Sequence, residues 1–258
     1  MTYLFVLILI TIIVLAGYRT RLLTISGGFA AFFTGIFVYI GLGVKGLFIL
    51  GLFFASSSLW SKIKNAKKQR AEELLVKGSQ RDWQQVFANG GLAALSSALY
   101  YFTKDPVWLL GFCMTIAAAN SDTWASEIGS MSKERPIFIK TLKRTDRGTS
   151  GAVSLIGTFA SILGSFLIAF TSFLLFQLNG NEFILVGVLG FLGNIIDTLL
   201  GAFVQAGYQC SQCGLKTEKP FHCEQKTNLI KSHSFLNNDV INFLSGLCSL
   251  LMGILILK

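Results

Sequence analysis

The sequence predicts an all-α, polytopic membrane protein, and three observations lead there. Of its 258 residues, 52% are hydrophobic and only 14% charged, whereas a soluble domain carries about 25% charged residues. Apolar runs recur along the whole length, and a run of about 20 such residues is the unit that crosses a bilayer. Nineteen of the 22 Lys and Arg fall in four alternate loops, the bias that marks cytoplasmic loops. Mean hydropathy is accordingly positive, at +0.61.

Taken in order, the predicted spans are 2–17, 23–43, 46–61, 85–103, 107–127, 151–178, 183–205 and 239–257. The first lacks a basic leader and a small-residue cleavage site, so it reads as a retained span rather than a signal peptide. Eight crossings put loops 18–22, 62–84, 128–150 and 206–238 in the cytoplasm and both termini outside. Lys45, Lys104 and Lys258 then lie on the outer face. The expectation is one integral-membrane domain, 1–258, multi-pass in the cell membrane. The net charge of +9 follows from the loop bias, and no helix-turn-helix, zinc-finger array or RNP pattern accompanies it. No nucleic-acid partner is expected.

Loop 62–84 reads as a basic amphipathic stretch lying on anionic lipid. It leads to Asn89, Gly90 and Gly91 at the start of the fourth span. There the asparagine and glycines either cap and pack a helix or touch a phosphate.

The stretch from Ala117 to Gly151 organises the rest. The fifth span ends in Asn120, Ser121, Asp122, Thr123 and Glu127. The seventh carries Asn194, Asp197 and Thr198, and the eighth opens with Asn237, Asn238, Asp239 and Asn242. Residues three and four apart share a helix face, so each helix presents an Asn/Asp cluster in its cytoplasmic half. Polar groups at that depth are costly unless paired, hydrated or metal-bound. Asp122, Asp197 and Asp239 with amide neighbours suit Mg²⁺; hydrogen bonds between helices are the other use for such residues. Asn120–Thr123 and Asn194–Thr198 resemble each other, an echo of an internal repeat.

Before the sixth span comes Arg147, Gly148, Thr149, Ser150 and Gly151. Such a turn offers backbone N–H groups to an anion, Thr149 and Ser150 can cap a helix, and Arg147 adds a donor suited to phosphate. Acidic clusters and this turn together predict a site for a phosphorylated ligand and a cation at the membrane face. There is no GxxxxGK[ST], HExxH or GxSxG, which excludes a P-loop and argues against the common metalloprotease and serine-hydrolase sites.

The last loop holds Cys210 and Cys213, then His222 and Cys223, a pattern that fits a structural Zn²⁺ in a small insert over 206–238. The fourth ligand is open, because adjacent His and Cys seldom hold one ion together. Free thiols are the alternative.

Asn89–Gly91, Ala118–Gly129, Arg147–Gly151, Gly193–Gly201 with Gln205, and Asn237–Asn242 are five ordered motifs that run over nearly the whole chain. In them the chain resembles the transmembrane protein 19-like family, long catalogued as "domain of unknown function 92". That resemblance implies a phytyl-phosphate-kinase-like activity, in which a nucleoside triphosphate phosphorylates an isoprenoid monophosphate held in the membrane lipid. For such a kinase Asp122, Asp197, Asp239 and Arg147 are the expected catalytic residues, and the loop charges put their site on the cytoplasmic side. Asn120, Asn194 and Asn238 would orient the Mg²⁺ ligands. Those three asparagines, with Asn89, Gly90, Gly91, Ser121, Thr123, Glu127, Gly148, Thr149, Ser150, Gly151, Thr198, Asn237 and Asn242, would contact nucleotide or substrate. The competing expectation is a transporter or flippase for an anionic lipid or small anion.

Overall fold

Capping residues and one glycine break set the helix ends in the computed structural model, which describes residues 2–63, 65, 68–69, 71 and 73–258. Among these are seven long helices: α1 (Thr2–Arg19), α2 (Ile25–Lys62), α3 (Trp83–Thr103), α4 (Pro106–Gly129), α5 (Leu155–Phe176), α6 (Gly180–Phe203) and α7 (Asn238–Leu257). The protein is mostly helical. Four of the helices, α2, α5, α6 and α7, are long and apolar enough to cross a membrane, and α1 is apolar but shorter.

As a straight rod, the 38 residues of α2 would extend about 57 Å at 1.5 Å per residue. Yet both of its ends meet Arg81. The Arg81 carbonyl accepts from the Thr24 backbone N–H at 3.0 Å, and its guanidinium donates to Ser58 Oγ at 2.9 Å. The chain therefore doubles back inside α2, at Gly43, where φ is 64° and ψ is −154°. Two legs result, 25–42 and 44–62.

At the centre stands α4, packed against α2, α3, α5, α6 and α7. Every residue from Leu110 to Ser121 is buried, as expected of a helix with neighbours on all sides. Around it the exposed large side chains are apolar. Phe29, Phe33 and Phe37 form one such outward stripe at i, i+4 spacing on α2, a lipid-facing pattern.

Two helix starts differ from expectation. Asp82 caps α3 by accepting from the Gln85 N–H at 3.0 Å, so Asn89–Gly91 lie within that helix and do not begin it. Ser154 caps α5 by accepting from the Gly157 N–H at 3.2 Å. Thr149 and Ser150 cap nothing, because the turn they occupy enters a strand instead.

That strand, β3 (Ala152–Val153), pairs antiparallel with β1 (Ile137–Phe138), which also pairs with β2 (Lys143–Arg144). A second small sheet joins β4 (Gly207–Gln209) to β5 (Lys216–Thr217) and β8 (Asn228–Lys231), with β6 (Phe221–His222) and β7 (Gln225–Lys226) forming a hairpin between them. Lys231 ties this sheet to the bundle, donating to the Gly201 carbonyl at 2.8 Å near the end of α6.

The four basic loops thus gather at one end of the bundle, and two glycines let them close. A Cβ on Gly148 (φ +84°) would sit 2.6 Å from the Ala71 carbonyl oxygen, and one on Gly151 (φ +83°) 2.4 Å from the Ala202 Cβ. Gly151→Ala therefore combines a left-handed backbone with overpacking, and about 3 kcal/mol of destabilisation is expected. Thermal unfolding in detergent against Gly180→Ala, whose added methyl meets nothing within 4 Å, measures it. Equal midpoints for the two variants would refute the packing argument.

Candidate functional site

Where the basic loops meet the helix ends lies a cavity of about 470 Å³, within the usual range of small-molecule sites, ~300–1,000 Å³. Helix α3 contributes Asn89, α4 contributes Asp122, Thr123 and Glu127, and α6 contributes Asn194, Asp197 and Thr198. Asn237, Asn238, Asp239 and Asn242 come from the start of α7, and Arg147 with Gly148–Gly151 from the turn before β3. Residues from all five motifs converge here.

Four predicted residues do not line it. Gly90 and Gly91 face helix neighbours: a Cβ on the first would meet Thr34, and on the second Phe87. Asn120 is fully buried and clamps two helices, accepting from Ser56 Oγ at 3.1 Å and donating to the Gly164 carbonyl at 2.7 Å. Ser121 donates to the Ser161 carbonyl at 2.9 Å. For these two the structure has interhelical hydrogen bonds, so Asn120 does not orient a carboxylate. The likeness between Asn120–Thr123 and Asn194–Thr198 fails at the asparagines but holds at Asp122 and Asp197, which both line the cavity, and at the threonines, whose hydroxyls donate back to the Ala119 and Asn194 carbonyls.

The three aspartates are held differently. Asp197 accepts from Ser245 Oγ at 3.3 Å, and the Asn242 amide, turned to donate, reaches it at 2.9 Å. Asp122 is near enough for the two charges to repel. Among the described residues no Lys or Arg pairs with either. Asp239 is instead ion-paired with Lys77, which also contacts Asp82 at 2.7 Å. Despite burial, which acts the other way, those two carboxylates hold the Lys77 ammonium above its ordinary pKa.

Basic groups line the cavity as well. Arg147 Nη2 donates to the Ser132 and Lys133 carbonyls at 3.1 Å, while its buried Nε has no hydrogen-bond partner among the described residues. An orphaned buried donor on a cavity wall calls for an explanation, and an absent ligand is one. Arg81 also lines the cavity, lying over the Phe54 ring at 5.3 Å.

Sequence reasoning missed Lys68, Lys77, Arg81 and Glu218. The first three fall in loop 62–84, and the reading of that loop as a lipid-surface stretch is corrected for its described part. Lys68 sits 2.6 Å from Glu127 and Lys77 pairs with Asp239, because carboxylates at the bundle mouth draw the lysines inward. Lys64, Ala66, Lys67, Arg70 and Glu72 lie outside the described residues. Glu218, just beyond β5, accepts from Ser150 Oγ and, at 2.7 Å, from Gln205. Burial pushes its carboxyl pKa up, against those two donors. The Cys and His residues also come together: Sγ of Cys210, Cys213 and Cys223 and a ring nitrogen of His222 lie within 4.8 Å of one another.

This fold and these motifs define an integral membrane protein, and the comparisons give its family. The chain belongs to the family described as "Integral membrane protein DUF92", whose model matches residues 8–250. An uncharacterized membrane protein of Methanocaldococcus jannaschii is 31% identical over 97% of this chain and 92% of its own length. Protein PGR of Arabidopsis thaliana is 29% identical over 93% of this chain and 91% of its own. Protein VTE6, chloroplastic, of the same plant, is 26% identical over 71% of this chain and 56% of its own. No solved structure matches.

Proposed function

We propose that the protein is a membrane-embedded prenyl-phosphate kinase, transferring the terminal phosphoryl group of a nucleoside triphosphate to an isoprenoid monophosphate. One observation carries this reading. Two carboxylates without a cationic partner among the described residues, Asp122 and Asp197, share a cavity with Arg147 Nε, orphaned among the same residues, and the Gly148–Gly151 turn. Acids short of positive charge beside donors short of an acceptor fit a divalent cation and a phosphate bound together.

The donor set suits the cation. Carboxylates with amide and hydroxyl neighbours are hard oxygen ligands, and Mg²⁺ commonly takes one or two of them with substrate phosphates. Asp122 and Asp197 would hold it, and Asp239 would join on leaving Lys77. When bound, the ion neutralises charge on the phosphates. Arg147 and the turn bind nucleotide phosphate oxygens and fix their direction. Asn89, Asn194, Asn238 and Asn242 orient the acids and the lipid phosphate. An oxygen of that phosphate forms the new P–O bond while the bond to the departing nucleoside diphosphate breaks. The attacking group is already anionic, so no strong base is required.

In this reading the two legs of α2 and the other six helices make eight crossings of the cell membrane. Both termini are outside, and the cavity opens to the cytoplasm through the four basic loops. Charge placement favours an enzyme over a transporter. Beyond the three aspartates the helices carry no charged side chain until Lys45, Lys104, Asp105 and Glu182 near the opposite end, so no charged relay continues across.

Purified protein given Mg²⁺, CTP or ATP, and short prenyl monophosphates is expected to yield a lipid one phosphoryl group heavier by mass. Folded protein that gives no product with any pair would sink the kinase and turn attention to transport of the same anions.

A further inference from the structure

The sulfur atoms of Cys210, Cys213 and Cys223 and a ring nitrogen of His222 come together from two turns. In the first, Cys210 opens a knuckle. Its backbone N–H donates to the Leu215 carbonyl at 3.0 Å, its carbonyl accepts from the Gly214 N–H at 3.0 Å, and Gly214 takes φ +73°. In the second, β6 and β7 pair Phe221 with Lys226 and His222 with Gln225, leaving Cys223 and Glu224 as a two-residue hairpin turn. Both take positive φ, 51° and 61°, as this turn type demands, although Asn and Gly are its usual occupants. That backbone lets adjacent His222 and Cys223 face one point, which their sequence positions alone argued against.

The distances decide the matter. Tetrahedral zinc with Zn–S near 2.3 Å and Zn–N near 2.0 Å separates a sulfur from a nitrogen ligand by about 3.5 Å. Nδ1 of His222 lies 3.5 Å from the Cys213 sulfur and 3.2 Å from the Cys223 sulfur. Both sulfur–nitrogen separations are thus close to those of such a site, and all four ligand atoms lie within 4.8 Å of one another.

We propose that Cys210, Cys213, Cys223 and Nδ1 of His222 bind one Zn²⁺ in a closed, structural site. The metal pins the segment that carries Glu218 onto the rim of the cavity. Each cysteine gives up its proton on ligation and the histidine binds neutral. With four protein ligands no position is left for water, so the site does no chemistry of its own.

Its effect passes through β5, which starts two residues after Gly214 and leads into Glu218. Thr217 Oγ1 donates to the Leu74 carbonyl at 2.7 Å, and the Glu218 N–H donates to the same oxygen at 3.0 Å. Glu218 then accepts from Ser150 and Gln205. A sheet of two- to four-residue strands has little apolar core to hold it, and a metal is the usual substitute. The zinc assignment is independent of the kinase reading, since it rests on other residues.

The full chain, purified in detergent under reducing conditions without added metal, should carry about one zinc per chain by elemental analysis. Cys213→Ala should lower this at least fivefold, while Cys248→Ala, a cysteine in α7, should keep it. Because Cys213→Ala risks misfolding, the unmodified chain is also exchanged into Co²⁺, where a thiolate-to-cobalt charge-transfer band is expected. Hydrogen exchange over 207–231 should speed up on chelation while the helices stay protected. A folded, monodisperse chain holding no zinc and giving no charge-transfer band would overturn the assignment. So would iron in its place, or exchange over 207–231 that ignores chelation.

Discussion

Asp197→Asn is expected to lower prenyl-diphosphate formation by about two to three orders of magnitude, the usual loss when one preorganised charge at a transition state is removed. It should do so without unfolding the protein. The amide keeps the size of the carboxylate and can still accept from Ser245, which lies at 3.3 Å. It also removes one of two mutually repelling charges, since Asp122 is within Coulombic range. A thermal midpoint equal to or above that of the unmodified chain is therefore predicted alongside the lost activity. That pairing separates a metal ligand from a structural residue, whose loss would lower both. Full turnover by Asp197→Asn would remove this acid from the chemistry, and a lowered midpoint would mean that it stabilises the bundle instead.

The contrast with Asn120 explains how much of the site could be read from the sequence. Asp197 and Asn120 sit in look-alike segments of α6 and α4, and spacing assigned both to one cluster. The helix period places a residue on a face, but not which neighbour occupies that face. In α4, buried on all sides, Asn120 turns to Ser56 and Gly164; Asp122, two residues on, faces the cavity. The aspartates were legible because carboxylates in an apolar span have few structural uses. An asparagine has many.

The basic loop failed for a different reason. A lysine that neutralises a buried acid looks, in sequence, like one that satisfies the positive-inside bias. Only the fold, by placing Lys77 beside Asp239 and Lys68 beside Glu127, tells them apart. Helix positions were more accessible, because apolar runs and charge alternation fix them. Even the reversal in α2 falls at Gly43, the last residue of the predicted span 23–43. Helix starts were less so: Asp82 and Ser154 cap earlier or later than the glycine motifs suggested.

The pair at the end of α2 supplies the largest expected change in stability. The Lys68 side chain is only 5% exposed and Glu127 18%. The lysine Nζ is 2.6 Å from Glu127 Oε2 and also donates to the Trp60 and Ser61 carbonyls at 2.9 and 2.8 Å. It thus neutralises a carboxylate in α4 and caps the last turn of α2, joining two helices that frame the cavity. Lys68→Met would leave the carboxylate with Ser61 Oγ as its remaining hydrogen-bond donor among the described residues. Breaking a buried pair from one side costs about 3–5 kcal/mol, and cavity water reaching Glu127 argues for the lower end. Adding Glu127→Gln removes the stranded charge, so the double variant should return to within about 1 kcal/mol of the unmodified chain, a coupling that a double-mutant cycle isolates. Equal stability of the single and double variants, by thermal or denaturant unfolding in detergent, would mean that Lys68 acts through the α2 carbonyls alone and that Glu127 tolerates its charge without it.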